Sequence, residues 1–326
     1  MSDTTERPVR GEDADMVARA AWMHFVGGLT QNEVAKRLGV PTTRAHRHIA
    51  RAQSLGLVRI TVDVPETSCL ALETRLSARF GLTTCRVAMD VPGQEALPLR
   101  ALAAAGSAWL DQVLDSGAHE MIGIGQGRTL AATVEALASR DLAKKTSFVS
   151  LLGGLTRSFA AAPYDVIHML SQRTRAEAWL MPVPLYVDSE KDRAVLMSQT
   201  IMRDISERMA QAPLAVVGIG DLESGYGAIS AMADGAEACQ ALADAGAVAE
   251  VLGQFLDPDG HPVQTPLDRR VMAQPLAQLR GRDVVAIAGG TSKHDAIRAA
   301  LRSGLLTGLI TDETTARALD TEEDGG

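Results

Sequence analysis

Short apolar runs, several ending in glycine, alternate with stretches of helical period over most of this 326-residue chain. The runs are Met121–Ile124, Phe148–Leu152, Ala178–Met181, Ala215–Ile219, Val284–Ala288 and Leu306–Ile310, and helical patterns stand between several of them, at Thr129–Ala138, Arg193–Ala210 and Lys293–Arg302. Strands covered on both faces are continuously apolar, and parallel strands need a crossover helix between them. The alternation therefore predicts an α/β fold: an open, mostly parallel α/β sheet with helices on its faces.

The first sixty residues are built differently. Met16, Val17, Ala20, Ala21, Met23 and Phe25 recur at helical spacing from Asp13 to Val26, and Gly27-Gly28 ends that helix. Thr30-Gln31-Asn32-Glu33 has the pattern of a capping box, in which a hydroxyl and a carboxylate satisfy amides at a helix start. A short helix to Leu38 follows, then Gly39 for a sharp turn, then a second helix from about Pro41 or Thr42 to Leu55 with Ala45, Ile49 and Ala52 facing inward. Gly56–Val62 has the pattern of a turn and a strand. A capped helix, a glycine turn and a second helix make a helix-turn-helix, which lays its second helix in the DNA major groove. That helix carries Thr42, Thr43, Arg44, His46, Arg47, His48 and Arg51. Arginine pairs bidentately with guanine, and threonine contacts a base edge or a phosphate.

Charge supports the reading. The chain carries a net charge of −8, which argues against coating nucleic acid with the whole surface. Residues 30–60 nevertheless hold six basic residues (Lys36, Arg37, Arg44, Arg47, Arg51, Arg59) against one acid, Glu33, a local charge of +5. A small basic module on an acidic body is the footprint of a DNA-binding unit. A small helical bundle with a solvated basic face is the plainer alternative.

Other classes are set aside on composition. The apolar fraction of 46% and charged fraction of 22% suit a globular chain. No apolar stretch nears the roughly 20 residues of a membrane helix. The opening residues carry Asp3, Glu6 and Glu12 rather than a basic region followed by an apolar run, so no secretory leader is expected and the cytoplasm is the default compartment. Cys69, Cys85 and Cys239 are too few and too scattered for a disulfide framework or a metal site.

Four glycine-bearing segments stand at strand ends: Gly123-Ile124-Gly125-Gln126-Gly127-Arg128, Leu151-Leu152-Gly153-Gly154, Val217-Gly218-Ile219-Gly220-Asp221 and Ala288-Gly289-Gly290-Thr291-Ser292-Lys293. Ligands of open α/β sheets bind outside the carboxyl ends of the strands, where such loops converge. Amides at the helix start near Thr129 suit an anion or sugar oxygens. Neither the dinucleotide fingerprint, which needs glycine where Arg128 stands, nor the Walker pattern is complete, so no cofactor is expected. Lys293 suits a phosphate or hydroxyls, and Glu250 suits sugar hydroxyls; a solvated lysine and an exposed carboxylate are the bland alternatives.

The motifs together resemble the SorC family of sugar-responsive transcription regulators. The resemblance runs from about Ala14 to Leu319. It rests on Gly28-Leu29-Thr30-Gln31 through Ala35, on Leu38-Gly39, on Gly123–Leu130, Leu151–Gly154 and Val217–Gly220. It is densest from Ala288-Gly289-Gly290 through Lys293, Ala296-Ile297 and Ala300-Leu301 to Leu309–Glu313. Arg19–Phe25 and Gly153-Gly154-Leu155-Thr156-Arg157 look most like the polyol-responsive branch, erythritol regulators in particular. The resemblance implies a helix-turn-helix joined to a domain shaped like sugar-phosphate isomerases and deaminases (the CoA-transferase-like class), acting as a dimer or tetramer on double-stranded operator DNA. It implies that Gln126–Leu130 form the sugar or phosphate loop, that Glu250 and Leu252 meet hydroxyls, and that Lys293 meets an anionic end.

The chain is accordingly divided into a helix-turn-helix domain (1–62), a linker (63–68) and an effector-binding and oligomerisation domain (69–326). Candidate DNA contacts are Gln31, Thr42, Thr43, Arg44, His46 and Arg47. Candidate effector contacts are Gly125, Gln126, Gly127, Arg128, Thr129, Leu130, Gly154, Glu250, Leu252 and Lys293. No catalytic or metal-binding residue is expected. Two rivals remain: a sugar-phosphate isomerase or deaminase-like enzyme using carboxylates such as Asp221 and Glu223, and a module that binds protein partners.

Overall fold

The computed structural model describes residues 12–58, 68–90, 98–143, 145–154, 165–221, 229 and 235–321. They fall into two compact units, one on either side of Val64–Pro65.

The N-terminal unit is helical. Helix α1 (Glu12–Ala21) continues into a π-helical turn, Trp22–Val26, rather than running as one α-helix to Val26. The wider turn closes where the Gly27 amide donates to Trp22 O five residues back, at 2.9 Å, and His24 Nδ1 reaches Leu29 O at 2.7 Å. Helix α2 (Gln31–Leu38) begins at the capping box: the Thr30 amide donates to Glu33 Oε2 at 2.8 Å, and the Glu33 amide donates to Thr30 Oγ1. Gly39 ends it at φ +65°, the left-handed region that favours glycine. Helix α3 (Thr42–Ser54) starts directly after Pro41, which supplies no side-chain cap. Val34, Ala35, Ala45 and Ile49 close on Ala20, and Ala52 on Val17 and Ala21. Residues 59–62 of the expected strand lie outside the described residues, as does most of the expected linker. Its last residue, Ser68, is already helical.

The C-terminal unit is a seven-stranded parallel sheet. Its strands are β1 (Thr84–Ala88), β2 (Met121–Ile124), β3 (Ser147–Gly154), β4 (Ala178–Pro184), β5 (Leu214–Val217), β9 (Asp283–Ile287) and β10 (Gly308–Asp312), in the order β1-β10-β9-β5-β2-β3-β4. Three short strands, β6 (Gly220–Asp221), β7 (Ala249–Val251) and β8 (Gln254–Leu256), form a separate antiparallel sheet. Helices cover both faces of the large sheet. Val284 and Ala286 of β9 pack with Leu72 and Leu76 of α4 (Ser68–Phe80), whereas Val285 and Ile287 pack with Leu102 and Leu110 of α5 (Leu99–Ser116). Helix α6 (Arg128–Ala136) joins the second layer through Leu130 and Val134, one turn apart, each burial worth about 1.5–3 kcal/mol.

The expected parallel α/β sheet is present, with differences in detail. Arg193–Ala210 is two helices, Glu190–Met197 and Thr200–Gln211, broken at Ser198-Gln199, where the Ser198 amide caps back onto Ala194 O. Lys293 sits in a 3-10 turn, Thr291–Lys293, ahead of the helix His294–Arg302. Among the described residues no helix is long and apolar enough to cross a membrane.

Candidate functional site

In the N-terminal unit, α3 turns one polar face outward. Thr42, Thr43, Arg44, His46 and Arg47 are all exposed, whereas Ala45, His48, Ile49 and Ala52 are buried. His48, counted from sequence among the residues of the basic face, is corrected by this: it lies at the inner position next to Ile49, 6% exposed. Arg51 is half-buried. Gln31 is the first residue of α2 and half-buried, and Thr42 Oγ1 donates to Asn32 Oδ1 at 3.1 Å, tying the starts of the two helices together.

In the C-terminal unit the strand order reverses between β2 and β5. The chain leaves β2 for β3 and β4 on one side, and β5 for β9 and β10 on the other. A crevice forms outside the carboxyl ends of strands at such a point. The Gly125 amide donates to Val216 O at 2.8 Å, binding the two strand ends together. Methyl-sized space beside Gly125 is bounded by Val216 O at 3.3 Å and Leu252 Cδ2 at 3.4 Å, so the β2 loop, β5 and the β7–β8 turn meet there. Gly127 is the N-cap of α6, with no side chain capping that helix start. The amides of the first turn therefore face the crevice mouth unclaimed by a cap. Thr129 is buried, 7% exposed; Leu130 is buried in the core, Gln126 is half-buried and Arg128 exposed.

Leu252 and Gly253 join β7 to β8 with φ of +53° and +73°. Two positive φ values are what a type I′ hairpin turn requires, and for leucine the left-handed region costs roughly 1–2 kcal/mol. Three contacts hold it: Leu252 is 4% exposed, Tyr186 Oη donates to Gly253 O at 2.8 Å, and the Gly253 amide donates to Glu250 Oε1. The Leu252 side chain is thus packed inward, leaving only its main chain to meet a hydroxyl. Glu250 is half-buried and pairs across with Gly220, which brings β6 and its Asp221 beside β7.

Lys293 closes the crevice. Its Nζ donates to Ile219 O at 2.5 Å. Burial pushes its ammonium below the usual lysine range, with Asp221 and Glu250 opposing the shift and Arg128 adding to it. Burial likewise pushes Glu250 above the usual carboxylate range, against the Gly253 hydrogen bond and the Lys293 charge. The loop carrying Lys293 is fixed from behind: the Gly290 amide donates to Asp312 Oδ2 and Thr315 Oγ1, each at 2.9 Å, and Asp312 is 1% exposed. A Cβ on Gly289 would stand 2.0 Å from Asp312 Oδ2, so only glycine fits.

The structure thus brings together Gly125–Leu130, Glu250, Leu252 and Lys293. Gly154 is set apart: it lies four residues past the Ile124–Ser150 pair, against Pro184 on the β3–β4 flank. The adjoining Leu155-Thr156-Arg157 lies outside the described residues, as does Glu223. Asp221, considered from sequence only as an enzymatic carboxylate, joins the cluster because β6 pairs with β7; strands of two and three residues leave no periodic trace.

The protein-family model "Sugar-bind: Putative sugar-binding domain" matches residues 64–319. The chain is similar to the erythritol catabolism regulatory protein EryD of Brucella abortus, 44% identical over 96% of this chain and 98% of that protein. It is similar to the transcriptional regulator LsrR of Enterobacter sp. (strain 638), 32% identical over 94% of this chain and 93% of that protein. The full-length sorbitol operon regulator SorC of Klebsiella pneumoniae superposes with a TM-score of 0.71 at 26% identity, covering 95% of this chain and 100% of that one. The chain belongs to the SorC family of sugar-binding transcriptional regulators, on the branch of the erythritol catabolism regulator.

Proposed function

We propose that α2 and α3 act as a helix-turn-helix, that Gln31, Thr42, Thr43, Arg44, His46 and Arg47 face operator DNA, and that a sugar, polyol or sugar phosphate in the β2/β5 crevice controls the operator affinity of a cytoplasmic homo-oligomer. The protein is a regulator and not an enzyme, as its relatives are over nearly their whole lengths. The observation that carries the DNA reading is the two-sidedness of α3, whose polar face is exposed along its first two turns while its apolar face closes the core. One such helix reads only a short half-site, so an operator calls for two copies about one helical turn, or a multiple of it, apart. The crevice supports the effector half of the reading by uniting uncapped amides, a carboxylate and an ammonium from three separate segments. The printed names of the relatives favour a ligand of carbohydrate type.

The test begins with an operator selected from random duplex DNA by the full-length protein. Arg44→Ala or Arg47→Ala should weaken operator binding by about 1–3 kcal/mol, roughly five- to 150-fold, with specificity relaxed at one position. Lys36→Ala, on the exposed side of α2, should weaken all sequences alike and reduce the salt dependence. Unchanged operator affinity in both arginine variants, with melting temperature intact, would remove α3 from the groove.

A further inference from the structure

We propose that the helix α1 and its π-helical turn carry a contact surface for a second copy of this chain: the stripe Ala18, Trp22 and Val26, pairing antiparallel with the same stripe of the partner. The contact stands on the geometry of that helix, and its consequence for operator binding rests on the helix-turn-helix reading.

The helix has two apolar sides, and the core uses one. Val17, Ala20 and Ala21 are buried against α2 and α3. Ala18, Trp22 and Val26 stand four residues apart, so they share another side, and all three are exposed. Among the described residues, Val26 at 69% and Trp22 at 63% are the two most exposed large apolar side chains. They bracket the π-helical turn, a departure from α geometry that occurs frequently at functional positions. Asp15 and Arg19, paired at 2.6 Å, extend the same side toward the start of the helix.

Charge separates this side from the DNA. Helix α1 holds three acids, Glu12, Asp13 and Asp15, against one base, whereas α2 and α3 hold five bases against Glu33. The phosphates that attract α3 repel α1, so its exposed tryptophan belongs to a protein contact. A second copy suits it because the stripe is self-complementary. Antiparallel pairing about a two-fold axis sets each Trp22 against the partner's Ala18, bulky against small. It also brings each Arg19 beside the partner's Trp22, where a guanidinium over an indole face is favourable. Two copies are also what an operator of two half-sites requires. Three side chains bury much less than the about 800 Å² per partner of a stable interface. The contact therefore closes between copies already held in one oligomer, at high effective concentration, and does not assemble the protein alone.

Cross-linking of the full-length protein tests the contact without DNA. In a Cys239→Ser background the remaining native thiols, Cys69 and Cys85, are both buried. Ala18→Cys treated with a short bis-maleimide should then give covalent dimer, and adding Trp22→Ala should cut the yield at least about fivefold. Thr43→Cys, on the exposed face of α3, should label without cross-linking, because paired recognition helices lie about 34 Å apart. Trp22 lies outside the core of the N-terminal unit, so Trp22→Ala should melt with wild type. It should bind a selected duplex of two half-sites about tenfold more weakly and a single half-site unchanged. No covalent dimer from Ala18→Cys, or a yield indifferent to Trp22→Ala, would overturn the proposal, as would equal weakening on both duplexes. Absence of sequence-specific DNA binding in the wild type would instead remove the helix-turn-helix reading, and the cross-link alone would decide the contact.

Discussion

Glu250 is where stability and ligand chemistry pull in opposite directions. Its carboxyl is pushed above the usual 4.5 chiefly by burial. A raised folded value means that the folded state prefers the protonated form. That contribution to stability is complete below the unfolded value near 4.5 and is lost as pH rises through the folded one. Glu250→Gln, which cannot ionise, should therefore melt higher than wild type at pH 7 and level with it near pH 4, by calorimetric melting across the two conditions. Ligand binding should run the other way, because the hydroxyl acceptor is the ionised form. Wild-type affinity for the effector should fall as the solution is acidified through the raised value, and a variant that melts lower at pH 7 would contradict the account. Lys293 was legible in the sequence because a Gly-Gly strand end precedes it. Its coupling to Asp221 was not, since that depends on β6 pairing with β7, residues some 30 apart in the chain. His48 shows the opposite failure: a polar residue in a basic run was read as surface, and the helical phase places it inside.

Elements with a local chemical signature were the legible ones. The capping box at Thr30 and Glu33 and the left-handed Gly39 marked both ends of α2 with three residues alone. Thr30→Ala removes the acceptor of the Glu33 amide and should cost about 1 kcal/mol, with most of it restored in Thr30→Ser. Urea unfolding followed by circular dichroism on the full chain checks this, and an unchanged midpoint would mean that tertiary packing alone holds α2. Strands buried on both faces announced themselves as apolar runs. The edge strand β1 did not, because Arg86 interrupts it and its burial alternates. The π-helical turn after α1 was also invisible, as its apolar spacing matches an ordinary helix, and the difference lies in where the Gly27 amide finds a carbonyl.

At the scale of the whole molecule, the sequence carried the class of the large sheet but not its strand order, and the order is what creates the crevice. Each glycine loop taken alone is a common turn. Only the reversal between β2 and β5 brings the loop of residues 125–130, the Leu252–Gly253 turn and Lys293 to one place. On the proposed function the two units have separate tasks, and regulation requires that occupancy of the crevice and occupancy of the operator share free energy. Such coupling is reciprocal by thermodynamic necessity and is typically 5–150-fold. The most direct test is a closed cycle on the full-length protein: operator affinity by fluorescence anisotropy with and without saturating polyol, and polyol affinity by calorimetry with and without operator. The account requires the same factor in both directions, at least about fivefold. Two affinities that ignore each other, with both ligands demonstrably bound, would contradict it.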